Sequence, residues 1–213
     1  GMKGAVATLM VASRLLGRIA RPHGLDHHPT LTGFKWVARA PGLGFGYEEA
    51  IGFCPDPAHV RDKDGIATSV VAASLVAALK AQGRSVWDEL ERLARLHGLH
   101  VSSPLTFRVE EIEQIASGMA RLRAQPPSVL AGSPVVEVSD LSQGYRGLPP
   151  TDGVLVLTEA GDRVIARPSG TEPKLKCYLE VILPVTEGEP LPWDQAHERL
   201  DAIKGAFAEI IGL

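Results

Sequence analysis

Arg167-Pro168-Ser169-Gly170-Thr171-Glu172-Pro173-Lys174-Leu175-Lys176 is the stretch from which the rest of the chain is read. An apolar run at 164–166 precedes it and another at 175–183 follows, so it reads as a turn between two strands. It gathers two hydroxyls, a glycine, a guanidinium and two ammonium groups in one short segment. Gly170 is free to take a positive φ and let backbone N–H groups converge on one point. Ser169 and Thr171 add hydroxyl donors, and the planar fork of Arg167 matches two phosphate oxygens at once. Alternation along the following strand puts Lys174, Lys176 and Tyr178 on one face and Leu175, Cys177 and Leu179 on the other. From the residues alone two readings stand: a site for a small phosphorylated ligand, or a charged hairpin turn of the kind any surface carries. No Walker pattern accompanies the loop.

The chain has 213 residues, room for one large or two small domains. Its net charge of −3 is not the footprint of a nucleic-acid binder, so any affinity for phosphate must come from locally concentrated cations. The two cysteines, Cys54 and Cys177, are too few and too far apart for a disulfide framework or a metal site, which favours reduced thiols and a cytoplasmic setting. No apolar run approaches the ~20 residues of a membrane span. Gly1-Met2 reads as the scar of a cleaved tag, and a strand that begins almost at once favours a fragment of a longer protein.

Taken in order, residues 5–11 are apolar and suit a covered parallel strand. Ser13 is placed to cap a helix carrying Leu15, Leu16 and Ile19. His23, Asp26, His27 and His28 invite a metal reading, but their spacing matches no standard ligand pattern, and Gly24 and Pro29 mark a solvated turn. Gly42-Leu43-Gly44-Phe45-Gly46 lacks the spacing of a dinucleotide fingerprint, and no βαβ unit brackets it. The carboxylates that follow, Glu48 and Glu49, are acceptor pairs for hydroxyl groups. Asp62-Lys63-Asp64-Gly65 lacks the closing glutamate of a calcium loop, and Asp64 suits the N-cap of a helix over 66–80. That helix is apolar on nearly every side, which predicts burial, and its N-terminus favours anions. Ser85 and Asp88 form a capping box for a helix with Val86, Leu90, Leu93 and Leu96 on one face, ending at Gly98. A strand over 101–107 and an amphipathic helix with Val109, Ile112, Ile115, Met119 and Leu122 come next. The Pro- and Ser-rich stretch 126–134 reads as the domain boundary. Beyond it come a strand at 135–138, a hairpin over 153–166 and a closing helix whose apolar face is Ala196, Leu200, Ile203, Phe207 and Ile210.

Four segments together resemble the α-D-phosphohexomutases, the phosphoglucomutase/phosphomannomutase family. They are Thr32-Gly33-Phe34-Lys35-Trp36, the segment Gly46-Tyr47-Glu48-Glu49-Ala50-Ile51-Gly52, Val60-Arg61-Asp62-Lys63-Asp64-Gly65, and the loop that begins at Arg167. They occur in the family's order, and the resemblance covers almost the whole chain. It implies an α/β fold: a three-layer α/β domain at 1–125 resembling the family's third domain, a linker at 126–134, and a small α+β domain at 135–213 resembling its fourth, with an antiparallel sheet and helices on one face. It implies that Glu48, Glu49, Lys63 and Lys35 contact the sugar, and that Arg167, Ser169, Gly170, Thr171, Lys174 and Lys176 hold phosphate. Ala50 stands where many members carry Ser, a departure that resembles the phosphopentomutase-like and bifunctional branch and leaves simple glucose specificity open.

The resemblance further implies an isomerase acting as an intramolecular phosphotransferase in carbohydrate metabolism, with a phosphorylated hexose or pentose as substrate. Such an enzyme uses a phosphoserine, Mg²⁺ and a sugar bisphosphate activator. Neither the family's Thr-x-Ser-His pattern nor its Asp-x-Asp-x-Asp-Arg metal loop occurs in this chain. The chain is therefore expected to hold substrate without performing the transfer, its partners being the phosphosugar and the missing N-terminal domains of the same protein, not nucleic acid or membrane. Two alternatives remain: a stand-alone phosphosugar-binding module without catalysis, and an enzyme of another class with a coincidental anion loop, for which no base and nucleophile pair is present.

Overall fold

The computed structural model describes residues 3–170 and 172–212, and the chain folds into two compact units. The first comprises residues 1–98 and returns for 185–191; the second comprises 99–184 and 192–213.

In the first unit, β1 (Ala5–Leu9) is buried along its whole length, as an apolar run flanked on both sides must be. It pairs in parallel with β2 (Asp26–Thr30) and β3 (Leu43–Glu48), and β4 (Gly52–Cys54) closes the sheet antiparallel to β3. The strand order is β2-β1-β3-β4. Helix α1 (Leu15–Ala20) crosses from β1 to β2, its Leu15 N–H bound by the Ser13 hydroxyl at 3.2 Å. Helix α2 (Phe34–Val37) precedes β3 and buries Phe34 and Val37. Histidines 27 and 28, expected in a solvated turn, lie in β2 instead. Pro29 is tolerated there because β2 is an edge strand, where the missing N–H breaks no second ladder.

Helices α3 (Gly65–Ala81) and α4 (Val86–His97) complete this unit. Asp64 caps α3 by accepting from the Ala67 N–H at 2.9 Å, and Ser85 and Asp88 form the capping box of α4. The expected burial of α3 is wrong: Ile66 is 84% exposed and Val70 63%, and Leu79 is its buried residue. An all-round apolar composition marks a helix fit to be covered, but covering requires a neighbour, and the element it chiefly meets within this unit is the short β4. The apolar face of α4 is open at Leu90 and Leu96, and Ala94 is its buried residue. Arg95 donates to the Thr186 and Glu189 carbonyl oxygens at 3.3 and 3.1 Å, which fastens the returning segment 185–191 to α4.

The second unit is a six-stranded sheet, order β5-β10-β9-β8-β7-β6, built from β5 (Leu99–Arg108), β6 (Val129–Leu130), β7 (Ser133–Asp140), β8 (Val154–Thr158), β9 (Arg163–Pro168) and β10 (Lys174–Leu183). All its pairings are antiparallel. Helices α5 (Ile112–Ala124) and α6 (Trp193–Ile211) pack on each other and on β10. Ile115, Met119 and Leu122 of α5 and Leu200, Ile203 and Phe207 of α6 are fully covered, each worth about 2 kcal/mol of apolar transfer. Ile211, not Ile210, completes the buried face of α6.

The boundary expected at 126–134 does not divide the structure; the division falls at Gly98 and Leu99. Strand β5 and helix α5, assigned above to the first domain, belong to the second unit because β5 pairs with β10 over ten residues. The proline-rich stretch is an internal connection that holds β6. Local punctuation marks a turn equally well inside a domain and between domains; only the long-range partner of β5 separates the cases.

Candidate functional site

In the second unit the loop between β9 and β10 is a tight antiparallel connection. The Ser169 N–H donates to the Lys174 carbonyl at 2.9 Å, and the Lys174 N–H donates to the Glu172 carbonyl at 2.7 Å. Strand register sets the cations in rows. Lys176 stands between Arg167 on β9 and Thr106 on β5, and Lys174 stands opposite Arg108. The expected alternation holds: Leu175, Cys177 and Leu179 are buried, while Lys174, Lys176 and Tyr178 are partly open. Further along β10 on that face, Glu180 takes an ion pair from Arg163 at 3.2 Å and meets His100 Nδ1 at 3.0 Å, with both His100 and Glu180 side chains 1% exposed. Gly170 has open space around it but does not adopt the positive φ expected of it. Thr171 lies outside the described residues.

A carboxylate, Glu172, lies among these cations. Its Oε1 accepts from Lys174 Nζ at 2.6 Å, and its Oε2 lies 3.6 Å from Arg108 Nη1. The Lys174 hydrogen bond, with the charges of Lys174 and then Arg108, holds the Glu172 carboxyl below its usual range. Arg108 was missed from sequence. Nothing local marks it, and it becomes a neighbour of the loop through the β5–β10 register alone.

In the first unit, Glu48 ends β3 and sits directly across from Gly52 of β4. A Cβ at Gly52 would stand 2.8 Å from Glu48 Cγ, 2.8 Å from Lys63 Cδ and 3.0 Å from Glu48 Oε1. Glu48 and Lys63, far apart in sequence, therefore converge over one glycine. Lys63 donates from Nζ to Asp62 at 3.1 Å and lies 4.7 Å from the centre of the Phe34 ring. The Asp64 N–H bond to the Phe53 carbonyl, 2.8 Å, ties the Lys63 segment to β4. Glu49 lies in the exposed turn, where Ile51 takes a left-handed φ of 61°, a strained choice for a β-branched residue. Lys35 and Lys63 line one hollow of about 610 Å³ with Gly33, Arg39, Arg61 and Asp62. Arg39 and Arg61 were also missed; Arg39 lies in the turn that follows α2. Among the described residues no group of three or more His, Cys, Asp or Glu is placed to hold a metal ion.

Residues 1–96 match the model of the phosphoglucomutase/phosphomannomutase alpha/beta/alpha domain III, and residues 106–182 match that of the family's C-terminal domain. The chain belongs to the phosphoglucomutase/phosphomannomutase family. Among its relatives, a probable phosphomannomutase of Haemophilus influenzae is 40% identical over 84% of the chain and 36% of that protein. A phosphopentomutase of Mus musculus is 30% identical over 93% of the chain and 35% of its own length. A phosphoglucomutase of Staphylococcus aureus is 30% identical over 82% and 35%. The chain thus spans little more than a third of the relatives it matches. The open form of pp63/parafusin, a Paramecium phosphoglucomutase, superposes with a TM-score of 0.69 at 19% identity, covering 98% of the chain and 38% of that structure, which confirms the fold. The family match divides the chain where the structure does, before β5 is complete and well before residue 126.

Proposed function

We propose that this chain is the substrate-holding C-terminal half of a phosphosugar mutase that interconverts sugar 1-phosphate and 6-phosphate, or the pentose equivalents, through a phosphoserine and a bisphosphorylated intermediate. The observation that carries the reading is the cation array of the β9–β10 loop. Arg167 and Lys176 are cross-strand neighbours and Lys174 lies two residues along the same face, in a chain whose net charge is negative. Such clustering serves an anionic ligand, since like charges left side by side repel. Arg167 supplies the planar fork, Lys174 and Lys176 supply point charges, and Ser169 and Gly170 supply donors and open backbone.

Glu48 and Glu49 are assigned to sugar hydroxyls. Lys63 and Lys35 are assigned to the ligand from the hollow they share. The parent protein works in the cytoplasm with a sugar bisphosphate activator and with Mg²⁺, whose ligands lie outside this chain, and the chain alone does not turn over substrate. The open apolar surface of α3 is assigned to contact with preceding domains of the same parent.

Calorimetric titration of the chain with hexose and pentose 1-phosphates, with Arg167→Ala as control, tests the assignment. Expected is weak binding that the substitution removes, with a melting temperature unchanged within about 2 °C, since Arg167 sits at the end of a strand and not in the core. Binding that survives Arg167→Ala would refute the role given to the loop.

A further inference from the structure

The β9–β10 loop contains an acid as well as its cations. Glu172 lies between Lys174 and Arg108, at 2.6 and 3.6 Å. The Lys174 side chain is 14% exposed, whereas Glu172 and Arg108 are 48% and 73% exposed, so the lysine charge is largely covered while the carboxylate can swing out to water. The backbone on either side is anchored. Lys174 N–H binds the Glu172 carbonyl at 2.7 Å, and Val109 N–H binds the Pro173 carbonyl at 3.1 Å. The side chain of Glu172 can therefore leave its cations without the loop unfolding.

We infer that Glu172 is a built-in counter-ion of the phosphate loop, displaced when an anionic ligand takes Lys174 and Arg108. This rests on the phosphate-loop reading above and adds to it both Arg108 and a selectivity device. An exposed pair of this kind is weakly held, so it yields readily. The direction of the selection follows from charge. A dianionic phosphate ester gains more from two cations than the single carboxylate it displaces. A monoanion such as chloride gains no more than Glu172 already does and is turned away. A glutamate carboxylate is ionised throughout the neutral range, and its cations hold its pKa lower still.

The test titrates the 213-residue chain with inorganic phosphate and with glucose 1-phosphate at low and high salt. Glu172→Gln should tighten both by about two- to fivefold, the effect expected from removing one exposed competing pair. The gain should fade as potassium chloride rises, because chloride now competes for the freed cations. Glu172→Asp should behave as the wild type, Glu172→Ala should repeat the Gln result without an amide, and Arg108→Ala should weaken binding. Unchanged or weaker binding by both Glu172→Gln and Glu172→Ala, with the wild type binding normally, overturns the counter-ion. Absence of binding by every chain, wild type included, overturns instead the phosphate-loop reading beneath it.

Discussion

Gly52→Ala should separate the proposed sugar recognition from folding. Gly52 is not at a positive φ, so alanine meets no backbone objection and the perturbation is purely steric. The new methyl would sit 2.8 Å from both Glu48 Cγ and Lys63 Cδ, where ordinary contact begins at 3.4 Å. Each neighbour must give way by about 0.6 Å or more. The backbone is poorly able to yield. Gly52 pairs with Glu48, Phe53 pairs with Tyr47 and stacks its ring at 6.0 Å, and Phe53 O holds Asp64 N–H at 2.8 Å. The side chains yield instead, and both reach solvent. A shift off rotamer costs about 0.5–1.5 kcal/mol, a melting-temperature loss of a few degrees. For a ligand the consequence is larger, because a displaced carboxylate forfeits a hydrogen bond to a charged group, about 1.5–3 kcal/mol, or roughly 10- to 100-fold in affinity. The assay is paired calorimetry with a sugar 1-phosphate and with inorganic phosphate. Affinity for the sugar phosphate should fall at least tenfold while that for inorganic phosphate, which has no hydroxyls for Glu48, stays level. Equal losses for both ligands, or none for either, would refute the assignment of Glu48 and Lys63 to the sugar.

Three further outcomes are expected. Arg199→Ala should cost about 3–5 kcal/mol in urea unfolding, because Arg199 grips buried Asp162 at 2.7–2.9 Å and its loss strands a carboxylate that is 1% exposed; a loss under about 1 kcal/mol would show that water replaces the fork. Burial, with help from His28, lowers the His27 pKa below 6.5, so the unfolded chain binds the extra proton; stability should be intact above about pH 6.5 and fall as pH drops through the folded value, and His27→Gln should shallow that slope in melting curves. Burial pushes the Cys177 thiol up to about 12 and raises that of Cys54, so neither should react with a disulfide reagent at neutral pH until denaturant is added.

Much of the fold was legible because its signals are local. Asp64 and Ser85 announce two helix starts in advance, and alternation along β10 orders Leu175, Cys177 and Leu179 inward. Failures came where burial or domain membership depends on distant chain. The composition of α3 was read correctly as apolar, yet composition reports only what a surface would prefer to touch. Residues 23–29 looked like a loop because Gly24 and Pro29 break structure, but an edge strand tolerates proline on its outer side.

The site divides the same way, and the division explains which residues motif reading finds. Arg167, Lys174 and Lys176 are consecutive members of one hairpin, so sequence spacing and spatial spacing coincide, and register confirms their common face. Arg108 stands opposite Lys174 although sixty-odd residues lie between them, and Lys63 and Glu48 both approach Gly52 because it has no side chain. Both relationships depend on what one strand places beside another. A loop motif therefore names the groups proposed to hold a ligand's charge, whereas the neighbours proposed to tune selectivity, Glu172 with Arg108 and Gly52 with Lys63, emerge from register and from missing side chains. The two kinds of residue should also fail differently. Removing a motif cation should lower affinity for every phosphorylated ligand; altering Gly52 should change the preference between sugar phosphate and inorganic phosphate, and altering Glu172 should weaken only the discrimination against chloride.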